Sequence, residues 1–320
     1  MKAFITGIGG FAGSHLAEHL LALGHQVSGL VLPGAGRDNI AHLAGRAALH
    51  EANLLDAARL GDILQAEAPD RVFHLAAQSS VSVSWEDPAA TVGTNVLGGL
   101  HLLEGCLPLR DRLRVVVVTS AEIYGAGPAG GVLREEAPFA PLNPYSVSKL
   151  ALDLLAGQLG RARGLPVVRM RPANHAGPRQ SPVFALARFA RELARMEAGL
   201  AEPLLKVGNL DAARDFTDVR DIVRAYALAA ERGRPGEGYL VCSGTPRRVG
   251  EALELLLPMA GVPVRVVKDP SLDRPADLSH GMTSCVRLEA DTGWRPAIPF
   301  EQTLRDTLDY WRQRLSRTAG

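Results

Sequence analysis

Short, almost uninterrupted apolar segments alternate with longer segments of helical periodicity over the first half of the chain. The apolar segments have the length of strands and are Lys2–Thr6, Gln26–Val31, Ala47–Glu51, Arg71–Leu75, Arg114–Thr119 and Pro166–Arg171. The segments between them predict helices, among them Ala12–Leu23, Ala57–Ala66, Ala89–Cys106 and Pro144–Arg163. Apolar strands that alternate with helices are typical of a buried parallel sheet. We therefore predict an α/β fold, a doubly wound parallel sheet with helices on both faces.

The pattern loosens beyond about Asn174. Elements become shorter and are separated by Pro, Gly or Asn, as at Gly208-Asn209, Arg234-Pro235-Gly236 and Asp269-Pro270. We predict one domain over residues 1–173, to which the chain returns around residues 210–245, and a smaller mixed α/β region mainly over residues 174–320.

Composition and charge exclude several classes of protein. The 320 residues are 47% hydrophobic and 22% charged with a formal net charge of +1, so we expect neither a nucleic acid nor an anionic membrane as partner. The apolar runs are shorter than the roughly 18 residues of a membrane span. Because a strand is predicted from Lys2, we expect no signal peptide. Cys106, Cys242 and Cys285 lack the spacing of a metal site or disulfide framework, and we expect a cytoplasmic protein.

The first predicted strand runs into a glycine-rich turn. Gly7, Gly10 and Gly13 give the spacing G-x-x-G-x-x-G, and a predicted helix opens directly from it. The first glycine permits a tight turn, the second lets the backbone approach a pyrophosphate, and the third lets helix and strand pack closely. This placement favours a Rossmann-type dinucleotide-binding domain over a merely structural turn. Phe11 and Ala12 belong to the same predicted cofactor contact.

The end of the second strand bears on the choice of nicotinamide cofactor. An acidic residue there favours NAD, but this chain has none before Arg37. We therefore prefer NADP over NAD, with Arg37 as a candidate for binding the 2′-phosphate. The alternative is that Arg37 is a solvated charge in a loop.

The first helix also contains the H-x-x-E-H pattern of zinc proteases over His15–His19. Because that helix already serves the phosphate-binding turn, we predict no metal site.

Tyr145 and Lys149 stand about one turn apart on a predicted helix. A lysine ammonium near a phenol stabilises the phenolate and lowers its pKa from about 10 towards neutrality. A tyrosine tuned in this way can exchange a proton with a sugar oxygen near neutral pH. Alone, this spacing also fits an ordinary pair on a helix surface.

Four motifs occur together in this chain: the glycine turn, His74-Leu75-Ala76-Ala77-Gln78, Thr119-Ser120-Ala121-Glu122-Ile123-Tyr124-Gly125 and the Tyr145/Lys149 pair. In order and approximate spacing they resemble the extended short-chain dehydrogenases/reductases. These are nucleotide-sugar epimerases, dehydratases and reductases. The resemblance spans essentially the whole chain.

The resemblance implies roles for the matching positions. Tyr145 is similar to the catalytic acid/base, and Lys149 to the residue that binds the nicotinamide ribose and lowers the tyrosine pKa. Ser120 matches the hydroxyl that hydrogen-bonds the reacting oxygen, with Thr119 as the alternative register. Further positions implied in cofactor binding are Asn53, Leu54, Leu75, Ala76 and Ala77. Asn53 departs from the family, which usually has an aspartate there.

Two segments, Arg171–Pro182 and Val207–Asp221, resemble the GDP-mannose branch of this family. A GDP-sugar carries two negative phosphates, and guanidinium groups suit bidentate contact with phosphate. The implied substrate-binding residues are Gln78, Asn174, Arg179, Lys206, Arg214 and Arg274. The region over residues 174–320 is thus expected mainly to bind the nucleotide sugar.

The branch implies two reactions. A reductase passes a hydride from NAD(P)H to the C4 keto group of a GDP-4-keto-6-deoxyhexose, which converts GDP-4-dehydro-6-deoxy-D-mannose to GDP-D-rhamnose. A GDP-mannose 4,6-dehydratase also needs a base, and Glu122 stands where the family has one. The residues around Ser181-Pro182 and Arg214–Val219 favour the reductase. Another nucleotide-sugar epimerase or reductase, and an NADP-binding redox sensor or scaffold without catalysis, stay open as alternatives.

Family members often form dimers through a four-helix bundle. The resemblance therefore implies a homodimer in which Ala89–Cys106 and Pro144–Arg163 of each subunit meet.

Overall fold

The computed structural model describes residues 1–128, 130–272 and 281–318. The strands in these ranges are β1 (Lys2–Thr6), β2 (Gln26–Val31), β3 (Ala47–Glu51), β4 (Arg71–His74), β5 (Arg114–Val118), β6 (Val167–Pro172), β7 (Asn174–Ala176), β8 (Leu204–Val207), β9 (Ala213–Asp218), β10 (Gly238–Val241), β11 (Pro246–Arg248) and β12 (Arg265–Lys268). The α-helices are α1 (Phe11–Ala22), α2 (Ala57–Glu67), α3 (Val81–Glu86), α4 (Pro88–Val92), α5 (Gly98–Cys106), α6 (Pro144–Arg163), α7 (Ala185–Glu197), α8 (Val219–Arg232), α9 (Val249–Leu256), α10 (Val286–Thr292) and α11 (Phe300–Thr318).

A parallel sheet of seven strands forms the centre of the molecule, in the order β3-β2-β1-β4-β5-β6-β10. β1 pairs with β2 on one side and with β4 on the other, so that Thr6 lies opposite both Leu30 and His74. The chain winds outwards from β1 in one direction and from β4 in the other. Open α/β sheets bind ligands at the carboxyl ends of the strands where the winding reverses. The predicted doubly wound sheet is confirmed, and its crevice lies between β1 and β4.

Helices cover both faces of the sheet. On one face, α1, α8 and α10 contribute Leu16, Ile222 and Leu288 to a buried cluster that includes Val116 of β5. On the other face, α2, α5 and α6 bury their apolar sides against the neighbouring β5 residues Val115 and Val117. Successive side chains of a strand point to opposite faces, which is why three adjacent valines are buried in two different clusters.

The predicted strands are all present, and their ends differ by at most one residue from the expected bounds. The helix predicted over Ala89–Cys106 is present, as α4, a π-helical turn over Gly93–Leu97 and α5 in direct succession. The glycines of this segment allow close packing. A Cβ at Gly98 would lie 2.8 Å from Leu54, and one at Gly99 would lie 2.5 Å from Leu152.

The chain leaves the central sheet after β6 and comes back to it with α8 and β10, where Leu240 lies opposite Arg171. Between and after these elements, α7, α9 and α11 pack around a separate apolar cluster of Phe189, Leu253 and Leu304. Two small sheets, β11-β9-β7 and β12-β8, complete this region. The division into domains at residue 173 stays a prediction. Within the described ranges, no helix has both the length and the hydropathy needed to cross a membrane.

Candidate active site

The glycine-rich turn joins β1 to α1 at the mouth of the crevice. Gly7 has φ +72°, a left-handed conformation that favours glycine, and a Cβ there would lie 2.9 Å from the backbone of Ala76. A Cβ at Gly13 would lie 2.1 Å from the carbonyl oxygen of Gly7. Gly10 is the N-cap of α1 and has no side chain with which to cap it. The first amide groups of α1 are therefore available to an anionic ligand.

The end of β4 is tied to this turn by a buried histidine. Thr6 Oγ1 lies 2.8 Å from His74 Nδ1 and accepts a hydrogen bond from the Ala76 backbone amide at 3.3 Å. Burial lowers the pKa of His74 to about 3, and the charge of Lys149 acts in the same direction. His74 is neutral at physiological pH and holds the Leu75–Ala77 segment beside the glycines.

A cavity of about 460 Å³ opens at the crevice. The predicted site residues that line it are Gly7, Gly10, Phe11, Ala12, Gly13, Leu75, Ala76, Ala77, Ser120, Glu122, Tyr145, Lys149, Asn174 and Arg214. The structure therefore brings the glycine turn, the candidate catalytic residues and two candidate substrate residues to one place, although they come from distant parts of the sequence.

Hydrogen bonding separates the two hydroxyl candidates that follow β5. The hydroxyl of Thr119 is buried and donates to Asp153 Oδ2 and to the Met170 carbonyl oxygen, both at 3.1 Å. The hydroxyl of Ser120 accepts the Glu122 backbone amide at 3.1 Å and is near enough to the Tyr145 phenol to lower its pKa. Ser120, rather than Thr119, is thus placed beside the tyrosine.

Tyr145 and Lys149 lie in the first two turns of α6, whose start is fixed by a capping box. The Asn143 side chain accepts the Ser146 amide at 2.8 Å, and Ser146 Oγ accepts the Asn143 amide at 3.2 Å. Lys149 Nζ donates to the Val118 carbonyl oxygen at 3.1 Å and lies 6.0 Å from the ring centroid of Tyr145. Burial lowers the pKa of Lys149 to about 8.

The pKa of Tyr145 moves in the opposite direction from the one that the Tyr–Lys spacing predicts. Burial raises this pKa, the carboxylate of Glu122 raises it further, and the hydrogen bond with Ser120 lowers it only in part. The expected lowering is therefore wrong for this structure, because desolvation of the phenolate dominates. Tyr145 keeps its proton at neutral pH.

Glu122 lies on a 3₁₀ turn over Ala121–Tyr124, two residues beyond Ser120. Its carboxylate accepts the Asn143 side-chain amide at 3.3 Å and is close enough to Tyr145 to raise the pKa of that phenol. Glu122 is half-buried and lines the cavity. A carboxylate in this position can accept a proton from a bound ligand as well as orient Asn143.

A buried ion-pair network holds α6, the helix of Tyr145 and Lys149, against the central sheet. Asp153 of α6 is fully buried and accepts two hydrogen bonds from Arg171, both at 2.8 Å, and one from Arg169 at 2.9 Å. It also accepts the hydroxyl of Thr119. Because Arg169 and Arg171 belong to β6 and Thr119 follows β5, this carboxylate fixes α6 against two strand ends.

Three predicted cofactor residues lie outside the cavity lining. Arg37 is half-exposed and forms an ion pair with Glu51, at the end of β3. Asn53 is exposed, and its side chain accepts the Leu55 amide at 3.0 Å in a turn. Leu54 is buried in the apolar cluster between the sheet and helices α2, α5 and α6. These positions follow β2 and β3, on the side of the glycine turn where the adenosine of a dinucleotide binds in this fold.

Three further predicted substrate residues, Gln78, Arg179 and Lys206, are also outside the cavity lining. Gln78 uses its side chain within the protein, donating to Ser80 O and Thr91 Oγ1 at 3.0 Å. Arg179 has φ +73° and turns towards α1, where it pairs with Glu18. Lys206 is 63% exposed and pairs with Asp269 at 3.7 Å. Arg274 lies outside the described residues.

Several cavity residues were not anticipated from the sequence. The ring of His175 stacks on Phe11, with centroids 5.6 Å apart and planes at 8°. Gln180 donates to the His175 carbonyl oxygen at 2.8 Å, whereas Tyr226 reaches the cavity from α8. His175 and Gln180 belong to a segment that the motif comparison had already indicated, but Tyr226 lies in an ordinary amphipathic helix that gives no signal of function.

The cavity fits a nicotinamide dinucleotide. The glycine cradle has no room for Cβ atoms at Gly7 and Gly13, and the start of α1 suits a diphosphate. In the described part of the chain, the buried atoms Gln180 Oε1 and Tyr226 Oη have no hydrogen-bond partner, although both residues line the cavity. Buried polar atoms are normally paired, so these two indicate the polar groups of a ligand.

Known proteins share this fold and much of this sequence. A family model described as GDP-mannose 4,6 dehydratase matches residues 4–307. The chain is 38% identical over 315 residues to GDP-6-deoxy-D-mannose reductase from Pseudomonas aeruginosa, and the match covers 98% of each chain. It is 31% identical to GDP-mannose 4,6 dehydratase 2 from Arabidopsis thaliana, over 96% of this chain and 86% of that protein.

The fold is similar to that of a solved structure, RMD from Pseudomonas aeruginosa complexed with NADPH. The TM-score is 0.83 at 37% identity, and the match covers 98% of this chain and 99% of that one. The likeness therefore extends over both the central sheet and the region that follows β6.

Proposed function

The chain belongs to the GDP-mannose 4,6-dehydratase family, and from this premise we propose that it reduces the C4 keto group of a GDP-4-keto-6-deoxyhexose. The proposed substrate is GDP-4-dehydro-6-deoxy-D-mannose, the product is GDP-D-rhamnose, and the protein is an NAD(P)-dependent oxidoreductase. The observation that carries the proposal is that Ser120, Lys149 and a protonated Tyr145 converge on one cavity. The similarity to GDP-6-deoxy-D-mannose reductase supports it.

Reduction of a ketone requires a proton at the oxygen that becomes a hydroxyl. Tyr145 is the proposed donor, and its raised pKa keeps the phenol protonated before the reaction. Ser120, which lines the cavity with Tyr145, donates a hydrogen bond to the oxygen as negative charge develops there. The ammonium of Lys149 lies 6.0 Å from the ring centroid of Tyr145 and is proposed to stabilise the phenolate that proton transfer leaves behind.

The cofactor supplies a hydride when it is bound. The amides at the start of α1 are proposed to bind the diphosphate of the cofactor, and the Leu75–Ala77 segment is proposed to contact the bound dinucleotide. Arg37 is the proposed contact for a 2′-phosphate, and its present partner Glu51 is a surface carboxylate that it can exchange for a phosphate. NADP is therefore preferred over NAD. Asn53 and Leu54 are proposed to lie at the adenosine end.

The region after residue 173 is proposed to bind mainly the GDP-sugar. Asn174 of β7 and Arg214 of β9 lie on strands that pair in parallel, and both residues line the cavity. A guanidinium beside an amide can bind one phosphate and orient the adjoining sugar. Gln78 is assigned the role of holding its loop in place.

The dehydratase is the second candidate, and one observation favours it. Glu122 lies beside Tyr145 in the cavity, where it can remove a proton from the sugar carbon next to the carbonyl group. A dehydratase also regenerates its own cofactor, because the hydride taken from C4 is returned to the same molecule.

Two assays separate these functions. The protein is incubated with the 4-keto GDP-sugar and NADPH or NADH, and absorbance of the reduced nicotinamide is followed. A reductase oxidises one molecule of reduced cofactor for each sugar molecule that it converts. NADPH should be turned over faster than NADH. GDP-mannose without added reductant gives a 4-keto sugar only if the protein is a dehydratase. Binding of NADPH with turnover in neither assay would favour a redox sensor and overturn both proposals.

We also propose a cytoplasmic homodimer. The segment from α4 to α5 exposes Val92 and Leu97, and the neighbouring α6 exposes Val147 and Leu154, two turns apart on one face. A second copy of the chain that packs these helices into a four-helix bundle would bury them. The three cysteines are unpaired, as in proteins of a reducing compartment. Light scattering should give twice the mass of one chain, and a clean monomer would contradict the dimer.

A further inference from the structure

The hydroxyl of Tyr226 differs from those of Tyr124 and Tyr239. The side chain is fully buried, and among the described residues its oxygen has no hydrogen-bond partner. By contrast, the hydroxyl of Tyr124 donates to the Glu135 carbonyl oxygen at 3.0 Å, and that of Tyr239 donates to Asp291 at 2.6 Å. Leaving a buried hydroxyl unpaired is unfavourable, because it loses water without gaining a new partner.

Tyr226 is part of the cavity wall. Its helix, α8, packs beside α1, and its ring belongs to the apolar cluster below β1, β5 and β6. The side chain lines the same cavity as Gly13, Val118 and Lys149. Tyr145 lines this cavity as well, and burial together with Tyr145 raises the pKa of Tyr226. The residue with the unpaired oxygen therefore belongs to the same cavity wall as the catalytic pair.

We propose that Tyr226 is a further cofactor-contacting residue, whose hydroxyl hydrogen-bonds a polar group of the nicotinamide riboside half of the cofactor. The inference rests on the proposed function, since it requires a nicotinamide dinucleotide in this cavity. The carboxamide and the ribose hydroxyls of that half offer both donors and acceptors, and a protonated phenol can match either. The adenosine half is excluded as the partner, because it lies on the far side of the glycine turn, towards β2 and β3.

The test is the Tyr226→Phe substitution, which removes the hydroxyl and keeps the ring. Dissociation constants are measured from fluorescence for NADPH and for 2′,5′-ADP, a probe of the adenosine end alone. Loss of one hydrogen bond should weaken NADPH binding about tenfold and leave 2′,5′-ADP unaffected. The melting temperature without ligand should stay the same or rise, because the variant no longer buries an unpaired polar group.

Tyr239→Phe is the matched control. Tyr239 is equally buried in the same cluster, but its hydroxyl is bonded to Asp291 and to the Arg234 amide at 2.9 Å. Its variant should melt at lower temperature and bind NADPH as the parent does. Should Tyr226→Phe not fold, Tyr226→Met gives the same comparison.

Three results would overturn the inference: unchanged NADPH affinity in Tyr226→Phe, equal weakening of both probes, or a lower melting temperature without ligand. Unchanged affinity would mean that the hydroxyl serves only a trapped water. If the parent protein itself binds neither NADPH nor NADH, the proposed function fails instead, so the two failures are distinguishable.

Discussion

The catalytic end of the cavity and its substrate end are built in different ways. Ser120 and Lys149 are buried; Ser120 accepts the Glu122 amide, and Lys149 donates to the Val118 carbonyl oxygen at the end of β5, both at 3.1 Å. At the substrate end, Asn174 and Arg214 line the cavity from β7 and β9, whereas Lys206 is 63% exposed and Arg179 is turned towards α1, both outside the cavity lining. The catalytic end is thus formed by several buried groups, whereas Arg214 is the one candidate cation among the described residues that lines the substrate end. Substitutions at the catalytic end are therefore expected to have larger effects than substitutions at the substrate end.

Replacement of Tyr145 by Phe should have the largest effect. The ring and its packing are kept, but the proton donor is lost, so kcat for ketone reduction should fall roughly a hundredfold to ten-thousandfold. The Kd for NADPH should change little. Stopped-flow measurement of nicotinamide absorbance gives the rate, and fluorescence titration gives the affinity.

Tyr310→Phe serves as the control for this variant, because that hydroxyl accepts a hydrogen bond from the surface residue Arg314 at 2.9 Å and does not line the described cavity. It should leave kcat unchanged. A Tyr145→Phe variant with near-parental kcat would show that another group donates the proton. The residue roles at the catalytic end would then be no better established than those at the substrate end.

Burial of Lys149 should appear in the pH dependence of stability. Its pKa is about 8 in the folded protein and 10.5 in the unfolded chain, so between these values the unfolded chain binds more protons. The free energy of unfolding therefore rises with pH across this window, and below pH 8 the full cost of burying the charge is present. That cost is roughly 3 kcal/mol, at 1.36 kcal/mol for each pKa unit.

Lys149→Met removes the titrating group and supplies the reference. Urea unfolding at pH 7 and at pH 10 should show the parent gaining about 2.5 kcal/mol relative to the variant, since pH 10 is still slightly below the unfolded pKa. Parallel pH profiles would mean that Lys149 is hydrated, and that the catalytic end is less tightly enclosed than the structure indicates.

The contrast between the catalytic end and the substrate end also corresponds to what could be predicted from the sequence. The apolar strands, the glycine turn and the Tyr145/Lys149 spacing are local patterns, and local patterns predicted the sheet and the residues of the catalytic end. Arg179 instead pairs with Glu18, 161 residues away, and its direction depends on packing that no local pattern records. Tyr226 is a further example, because only the approach of α8 to the cavity makes its hydroxyl notable. The raised pKa of Tyr145 likewise depends on burial.

The glycine cradle offers a comparison inside the catalytic end. Gly13→Ala places a Cβ against the rigid backbone of Gly7 and should destabilise the protein by about 3 kcal/mol while weakening NADPH binding. Gly61, in α2, has no heavy atom within 4 Å of an added Cβ among the described residues. Gly61→Ala should therefore stabilise by roughly 0.5–1 kcal/mol. Urea unfolding measures both, and similar values for the two variants would contradict the close approach.

Arg214→Ala should have the smallest effect, and it acts on KM. Arg214 lines the cavity from β9, whereas Lys206 is a surface residue paired with Asp269. Loss of a charged contact to a substrate phosphate should raise KM for the GDP-sugar roughly tenfold. Because the phosphates are held equally in the ground and transition states, kcat should stay within about twofold. Lys206→Ala is the matched control and should leave both constants unchanged. An equal rise of KM in both variants would place the diphosphate away from the cavity and would break the contrast between its two ends.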